Sequence, residues 1–159
     1  MMDINKVIES RRKELGLSVQ QVADSIGVNL NSYYDIEWHA DELIKAVELR
    51  SIKLLSQTLG LGMFKLLSMQ CAFCDANAAY LEEYRLPRHE LIKALRQKMG
   101  LSQQELADQS EFYDYAIQAM ERDPDYLERS RVESVLDLVA PLKVPLQVLL
   151  GVKCPKCGL

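Results

Sequence analysis

Four cysteines are the residues of this 159-residue chain with the clearest chemistry. They form two Cys-x-x-Cys pairs, Cys71 with Cys74 in LLSMQCAFC and Cys154 with Cys157 in LLGVKCPKC. Two thiolates at this spacing can occupy two of the four positions around a tetrahedral zinc ion. The proline and glycine of CPKCG favour the tight turn of a zinc knuckle, whereas CAFCD is a weaker knuckle sequence. We therefore predict one structural zinc site made by all four cysteines.

Other arrangements of the cysteines remain open at the level of sequence. Residues 75–153 separate the two pairs, which is far more than a compact zinc ribbon needs. The thiols could instead form a dithiol/disulfide redox pair or be inert. They could also complete a site between chains, with Cys71 and Cys74 paired across a homodimer.

The cysteine pairs belong to a longer internal repeat. GLSVQQVAD at 16–24 returns as GLSQQELAD at 100–108, an offset of 84, and beyond about residue 56 the offset becomes 83. A match at a fixed period indicates a duplicated structural unit. Two units packed about a pseudo-twofold axis would bring one cysteine pair from each copy to a shared site.

Each copy of the repeat reads as a series of short helices. Gly16 and Gly100 are typical helix ends, because a left-handed backbone is easiest without a side chain. The spacing of Ser18 and Gln21, and of Ser102 and Glu105, predicts capping boxes at the start of the next helices. The stretch 130–133 has the same pattern. No segment alternates as a strand would, so we predict an all-α fold with about five helices in each copy.

Both copies carry the string L-S-x-Q-x-[VL]-A-D, with an arginine six residues before its serine and a glutamate nineteen after. This pattern resembles the lambda-repressor-like helix-turn-helix family, including transcription factors of the xenobiotic-response-element type. The resemblance covers about residues 4–67 and 88–150. It implies a second helix at about 18–26 and a third, recognition helix at about 29–37, repeated at about 102–110 and 113–121.

The family pattern also implies two internal ion pairs, Arg12 with Glu37 and Arg96 with Glu121, which we expect to hold the fold rather than to touch DNA. The predicted organisation has four parts. They are a first helix-turn-helix unit at 1–70, a Cys-x-x-Cys with a stiff helical linker at 71–86, a second, degenerate unit at 87–151, and a terminal knuckle at 152–159.

The resemblance implies a DNA-binding transcriptional regulator with the third helix of the first unit in the major groove. Asparagine can pair with adenine, and hydroxyls and amides can hold the phosphate backbone. Gln103 keeps the glutamine that contacts phosphate in the family. The predicted DNA-contacting residues are Asn29, Asn31, Ser32, Tyr34, Arg11 and Gln103.

Charge argues against DNA reading by the second unit. The net charge of the chain is −4, and EFYDYAIQAME contains no basic residue, so phosphates would repel it. The alternative function is a protein-binding module on the same scaffold, of the antitoxin or immunity-inhibitor kind, with a basic partner. We expect Phe112, Tyr113 and Tyr115 to pack mainly in the core, with contact to a protein partner as the alternative, and Trp38 to be partly buried.

Enzymatic and membrane functions are not expected. The chain has no phosphate-binding loop, no nucleophile elbow and no carboxylate pair with a base nearby. It is 48% hydrophobic and 26% charged, without an apolar run of membrane-spanning length or a signal peptide. These features predict a cytoplasmic protein, in which reduced cysteines are available for metal binding.

Overall fold

The structure, a computed structural model, describes residues 3–159. The chain divides into two compact units, residues 1–70 and 71–159. Residues 3–159 form helices, turns and loops without a β-strand, which confirms the all-α prediction. No helix in this part of the chain has the length and apolar character needed to cross a bilayer.

The described part of the first unit, residues 3–70, is built from six helices. They are α1 Ile4–Glu14, α2 Val19–Ile26, α3 Leu30–Trp38, α4 Glu42–Lys45, α5 Leu49–Leu59 and α6 Met63–Leu66. The core lies where α1, α2, α3 and α5 meet, around the fully buried side chains of Ile8, Val22, Tyr33 and Ile52.

The second unit has a short entry segment, six α-helices and two 3₁₀ turns. Its core includes the buried side chains of Leu91, Ile92, Leu106, Ile117 and Leu149. The 3₁₀ turns span Glu82–Arg85 and Leu127–Arg129. The helices are α7 Arg88–Lys98, α8 Gln103–Gln109, α9 Asp114–Met120, α10 Val132–Leu136, α11 Val139–Leu142 and α12 Leu146–Leu150.

The local signals at α2 and α8 act as predicted. The Ser18 hydroxyl accepts from the Gln21 N–H at 3.1 Å while the Gln21 side chain accepts from the Ser18 N–H at 2.8 Å. Ser102 and Glu105 form the same reciprocal box. Gly16, at φ 67°, has the left-handed backbone expected at a helix end. Each box satisfies two N–H groups that would otherwise lack partners in the first turn.

Both predicted internal ion pairs are present. The Arg12 guanidinium donates to the two Glu37 carboxylate oxygens at 2.6 and 2.9 Å, and Arg96 donates to Glu121 at 2.5 and 3.1 Å. All four residues are buried. Hydrogen bonding to Glu37 raises the pKa of Arg12, as expected for a pair that stays charged inside the fold.

The prediction of a stiff helical linker after the first Cys-x-x-Cys, at 75–86, is wrong. Its helical part is limited to the 3₁₀ turn Glu82–Arg85. Asn77 has a left-handed backbone at φ 52°, and the Ala78 N–H donates to the Ala72 carbonyl at 2.8 Å. Tyr80 then packs against Phe73, with ring centroids 5.3 Å apart. Turn hydrogen bonds and aromatic packing therefore outweigh the helix propensity of alanine, leucine and glutamate.

Two smaller predictions are also wrong. Ser130 caps nothing, because its hydroxyl donates to the Tyr126 carbonyl at 3.0 Å and α10 begins after Arg131. The aromatic residues expected inside are largely outside. Tyr113 is 71% exposed, and Tyr115 and Trp38 are each 64% exposed, while Phe112 is half-buried.

Candidate metal centre

The four cysteine sulfurs come together inside the second unit. All four lie within 4.8 Å of one another, with Cys71 Sγ 3.7 Å from Cys157 Sγ and Cys74 Sγ 3.8 Å from Cys154 Sγ. The thiols are free, and these separations are well beyond the roughly 2.05 Å of a disulfide bond. Four sulfurs around one point are a donor set that can hold a metal ion.

The first knuckle is closed by a reciprocal pair of hydrogen bonds. The Asp75 carboxylate accepts from the Cys71 N–H at 3.0 Å, and the Asp75 N–H donates to the Cys71 carbonyl at 3.0 Å. The two bonds join the first and last residues of the turn 71–75. The turn carries Cys74 back towards Cys71, so both sulfurs point to the same place.

The second knuckle follows directly from the end of α12. Gly151 ends that helix in a left-handed conformation at φ 64°. The Lys156 N–H donates to Cys154 Sγ at 3.4 Å, and the Gly158 N–H donates to the Cys154 carbonyl at 2.9 Å. These two hydrogen bonds close the turn that carries Cys157 back towards Cys154.

Gln147 of α12 connects the two knuckles, and the sequence interpretation missed it. Its Oε1 accepts from the Ala72 N–H at 2.9 Å, and its Nε2 donates to the Leu159 carbonyl at 3.1 Å. The residue is only 3% exposed. A buried amide in the apolar stretch LQVLL was the available signal, because such a group must find hydrogen-bond partners.

An ion pair adds a second link between the knuckles. Lys156 Nζ lies 3.3 Å from Asp75 Oδ1. The hydrogen bond to Asp75 raises the pKa of Lys156, so its ammonium group stays charged beside the sulfurs. A positive charge there offsets part of the negative charge that four thiolates bring to a divalent ion.

The Cys71 and Cys74 thiols ionise unequally when no cation neutralises them. Burial raises the pKa of Cys71, but hydrogen bonds from the Cys74 and Phe73 backbone N–H groups outweigh it and lower that pKa to about 6. Hydrogen bonding with Cys71, together with burial, raises the pKa of Cys74 to about 12. One thiolate therefore forms readily and opposes ionisation of its neighbour. A bound cation would remove that opposition.

Comparison of the chain with protein-family models, with curated proteins and with solved structures finds no match.

Four of the predicted DNA-contacting residues, Asn29, Asn31, Ser32 and Tyr34, lie in α3 or at its N-terminal cap. Asn29 caps this helix, its side-chain oxygen accepting from the Ser32 N–H at 2.9 Å. Asn31 is exposed at the surface and Tyr34 is half-buried. The Tyr34 ring lies beside Trp38, with centroids 5.4 Å apart.

The other two predicted contacts are engaged within their own units. Arg11 of α1 donates to the Leu59 carbonyl at 2.9 Å and pairs with Glu14 at 3.0 Å. Gln103 of α8 donates to Glu121 at 2.8 Å. Each side chain would have to exchange part of these interactions to reach a phosphate.

Proposed function

We propose that the chain is a DNA-binding transcriptional regulator with two tandem helix-turn-helix units of the lambda-repressor-like kind. The first unit reads DNA, and the second carries a structural zinc centre. One observation carries the DNA-binding proposal. Asn29, the cap of α3, and Asn31, in its first turn, are exposed, and Ser32 beside them is half-buried. A recognition helix uses this turn to contact base edges.

The packing beneath α3 supports this reading. Gly27 ends α2 in a left-handed conformation, and two further residues lead into α3. Helix α3 buries Tyr33 and Ile36 against the core, and the buried Arg12–Glu37 pair joins it to α1. The inner face of α3 is thus used by the fold, and the outer face is available to a groove.

The electrostatics of α3 point to unusual DNA binding. The helix has no basic residue and carries Asp35, so few counterions would be released from DNA. We expect the exposed Asn31 amide to supply much of the specificity through a paired contact to adenine. The affinity should therefore fall only slowly with rising salt.

Zinc fits the cysteine cluster. Zn–S bonds of about 2.3 Å in a tetrahedron place the sulfurs about 3.8 Å apart, which agrees with the measured 3.7 and 3.8 Å. Four sulfur ligands leave no open position for water or substrate, so the proposed centre is structural rather than catalytic. Both knuckles belong to the second unit, and the ion would stabilise it. The pseudo-twofold relation between the two repeats stays a prediction.

DNA selection from a random pool, followed by gel shifts, tests the DNA proposal. Asn31→Ala should weaken binding to the selected sequence about tenfold or more. The matched control, Gln57→Ala at an exposed position of α5, should leave that binding unchanged. Failure of the chain to retain any duplex at low salt would contradict the proposal. Metal analysis of the purified protein tests the centre separately, with one zinc per chain expected.

A further inference from the structure

Two tyrosines of the second unit form an exposed stacked pair. Tyr113 immediately precedes α9 and Tyr115 lies in its first turn, with parallel rings at 8° and centroids 5.4 Å apart. They are among the most exposed large side chains of the described residues, at 71% and 64%. Large aromatics are enriched where proteins bind one another and concentrate binding energy there.

Acidic side chains surround this pair in the sequence. Asp108, Glu111 and Asp114 are all exposed, and no lysine or arginine occurs between Met99 and Glu121. Asp114 lies between the two tyrosines, and its carboxylate accepts from the Tyr115 N–H at 2.7 Å. Arg129, in the 3₁₀ turn that follows, is paired with Asp123. The second unit thus combines aromatic rings with carboxylates that repel phosphate.

Glu111 occupies a backbone conformation that favours glycine. Its φ is 57°, and the residue one repeat earlier is Gly27, at φ 72°. A side chain at a left-handed position is strained, and such strain tends to persist where it serves function. Here it places a carboxylate two residues before Tyr113.

We propose that Glu111, Tyr113, Asp114 and Tyr115, the tyrosine–acid surface, bind an arginine-bearing segment of a partner protein. A guanidinium can stack on a tyrosine ring while its planar donors pair with a carboxylate. Lysine, a compact and strongly hydrated charge, can approach a ring face but can neither stack on it as a plane nor pair with a carboxylate through two donors at once. Arginine therefore fits both halves of this surface better than lysine does. The inference does not depend on DNA binding by the first unit.

Binding of labelled peptides to the full zinc-loaded chain tests the proposal by fluorescence anisotropy. The probe is a decapeptide of alternating arginine and glycine, with lysine and glutamate versions for comparison. The arginine peptide should bind several-fold more tightly than the lysine peptide, and the glutamate peptide should not bind. Equal affinity for the arginine and lysine peptides would overturn the proposal, because binding would then depend only on the negative charge of the surface.

Two pairs of variants distinguish peptide binding at the tyrosine–acid surface from an effect that any similar substitution would have. Tyr115→Ala should weaken binding of the arginine peptide about tenfold. Trp38→Ala, which removes an equally exposed ring, should leave that binding unchanged. Glu111→Gly should weaken binding of the same peptide a few-fold. Lys143→Gly, at another left-handed position with φ 49°, should not weaken it. Equal effects within either pair would contradict the assignment. Tyr115→Ala should leave any DNA binding unchanged, and Asn31→Ala should leave peptide binding unchanged.

Discussion

Gln147 and Ala72, 75 positions apart in the chain, are joined by a hydrogen bond of 2.9 Å from the Ala72 N–H to the Gln147 side-chain oxygen. The same amide donates to the Leu159 carbonyl. One buried side chain thus holds the backbone of both knuckles. Groups that orient metal ligands in this way commonly change metal affinity when removed.

We predict that Gln147→Leu lowers zinc affinity about 10- to 100-fold, because neither knuckle backbone keeps its partner. Competition with a chromophoric chelator measures the affinity. Cobalt substitution shows in parallel whether the four-sulfur absorption bands shift. Gln147→Glu keeps the acceptor for Ala72 and loses the donor to Leu159, so its affinity should be intermediate. Unchanged affinity and unchanged bands in Gln147→Leu would refute the positioning role.

Removing the metal should destabilise the second unit selectively. A structural zinc ion contributes on the order of 10 kcal/mol to the folding of a small domain. In calorimetry of the full chain, chelation of the metal or the Cys71→Ser substitution should therefore lower the melting temperature of the second unit. The core of the first unit contains no cysteine and should melt as before. A chelator that shifts neither transition would argue against a resident structural ion.

The stability lost when the Arg96–Glu121 pair is broken should depend on pH. Burial raises the pKa of Glu121, but its hydrogen bonds with Arg96 and Gln103 lower it overall from 4.5. A carboxyl with a lowered folded-state pKa contributes stability that is present above its unfolded pKa and is lost as the pH falls through the folded value. Glu121→Gln should thus cost about 3 kcal/mol near pH 7.

The cost of Glu121→Gln should shrink as the pH falls below about 4.5, because the wild-type carboxyl then becomes neutral too. Urea unfolding at several pH values measures this cost. Glu133→Gln, at an exposed position of α10, should have little effect at any pH. A cost that stays constant into acid would show that packing rather than charge holds Glu121.

Glu111→Gly should raise the stability of the second unit by about 1 kcal/mol, since glycine relieves the left-handed strain. Thermal unfolding measures the gain, and Lys143→Gly should give a similar one. The two variants should then differ only in peptide binding. A loss of stability in Glu111→Gly would mean that the glutamate side chain makes contacts that outweigh its backbone strain.

Local chemistry made much of the fold predictable. Ser18, Ser102 and Gly16 determine helix ends through hydrogen bonds and backbone freedom within a few residues, so α2 and α8 begin within one residue of expectation. The cysteine cluster was predictable because the repeat pairs Cys71 with Cys154. The role of Gln147 was not, since its partners lie in distant turns that exist only after folding. The exposure of Tyr113 and Tyr115 could not be predicted either, because the residue type alone favours burial of aromatic side chains.

A metal ion bound by the cysteine cluster would close the second unit into a ring. Cys71 and Cys157 stand at its two ends and meet across 3.7 Å. A bound ion would make this unit behave like a cyclic chain, so a protease cut at the exposed residues 124–125 would leave both fragments attached. Under a pulling force applied to residues 71 and 159, the metal–sulfur bonds would carry the load before any helix of the unit unravelled.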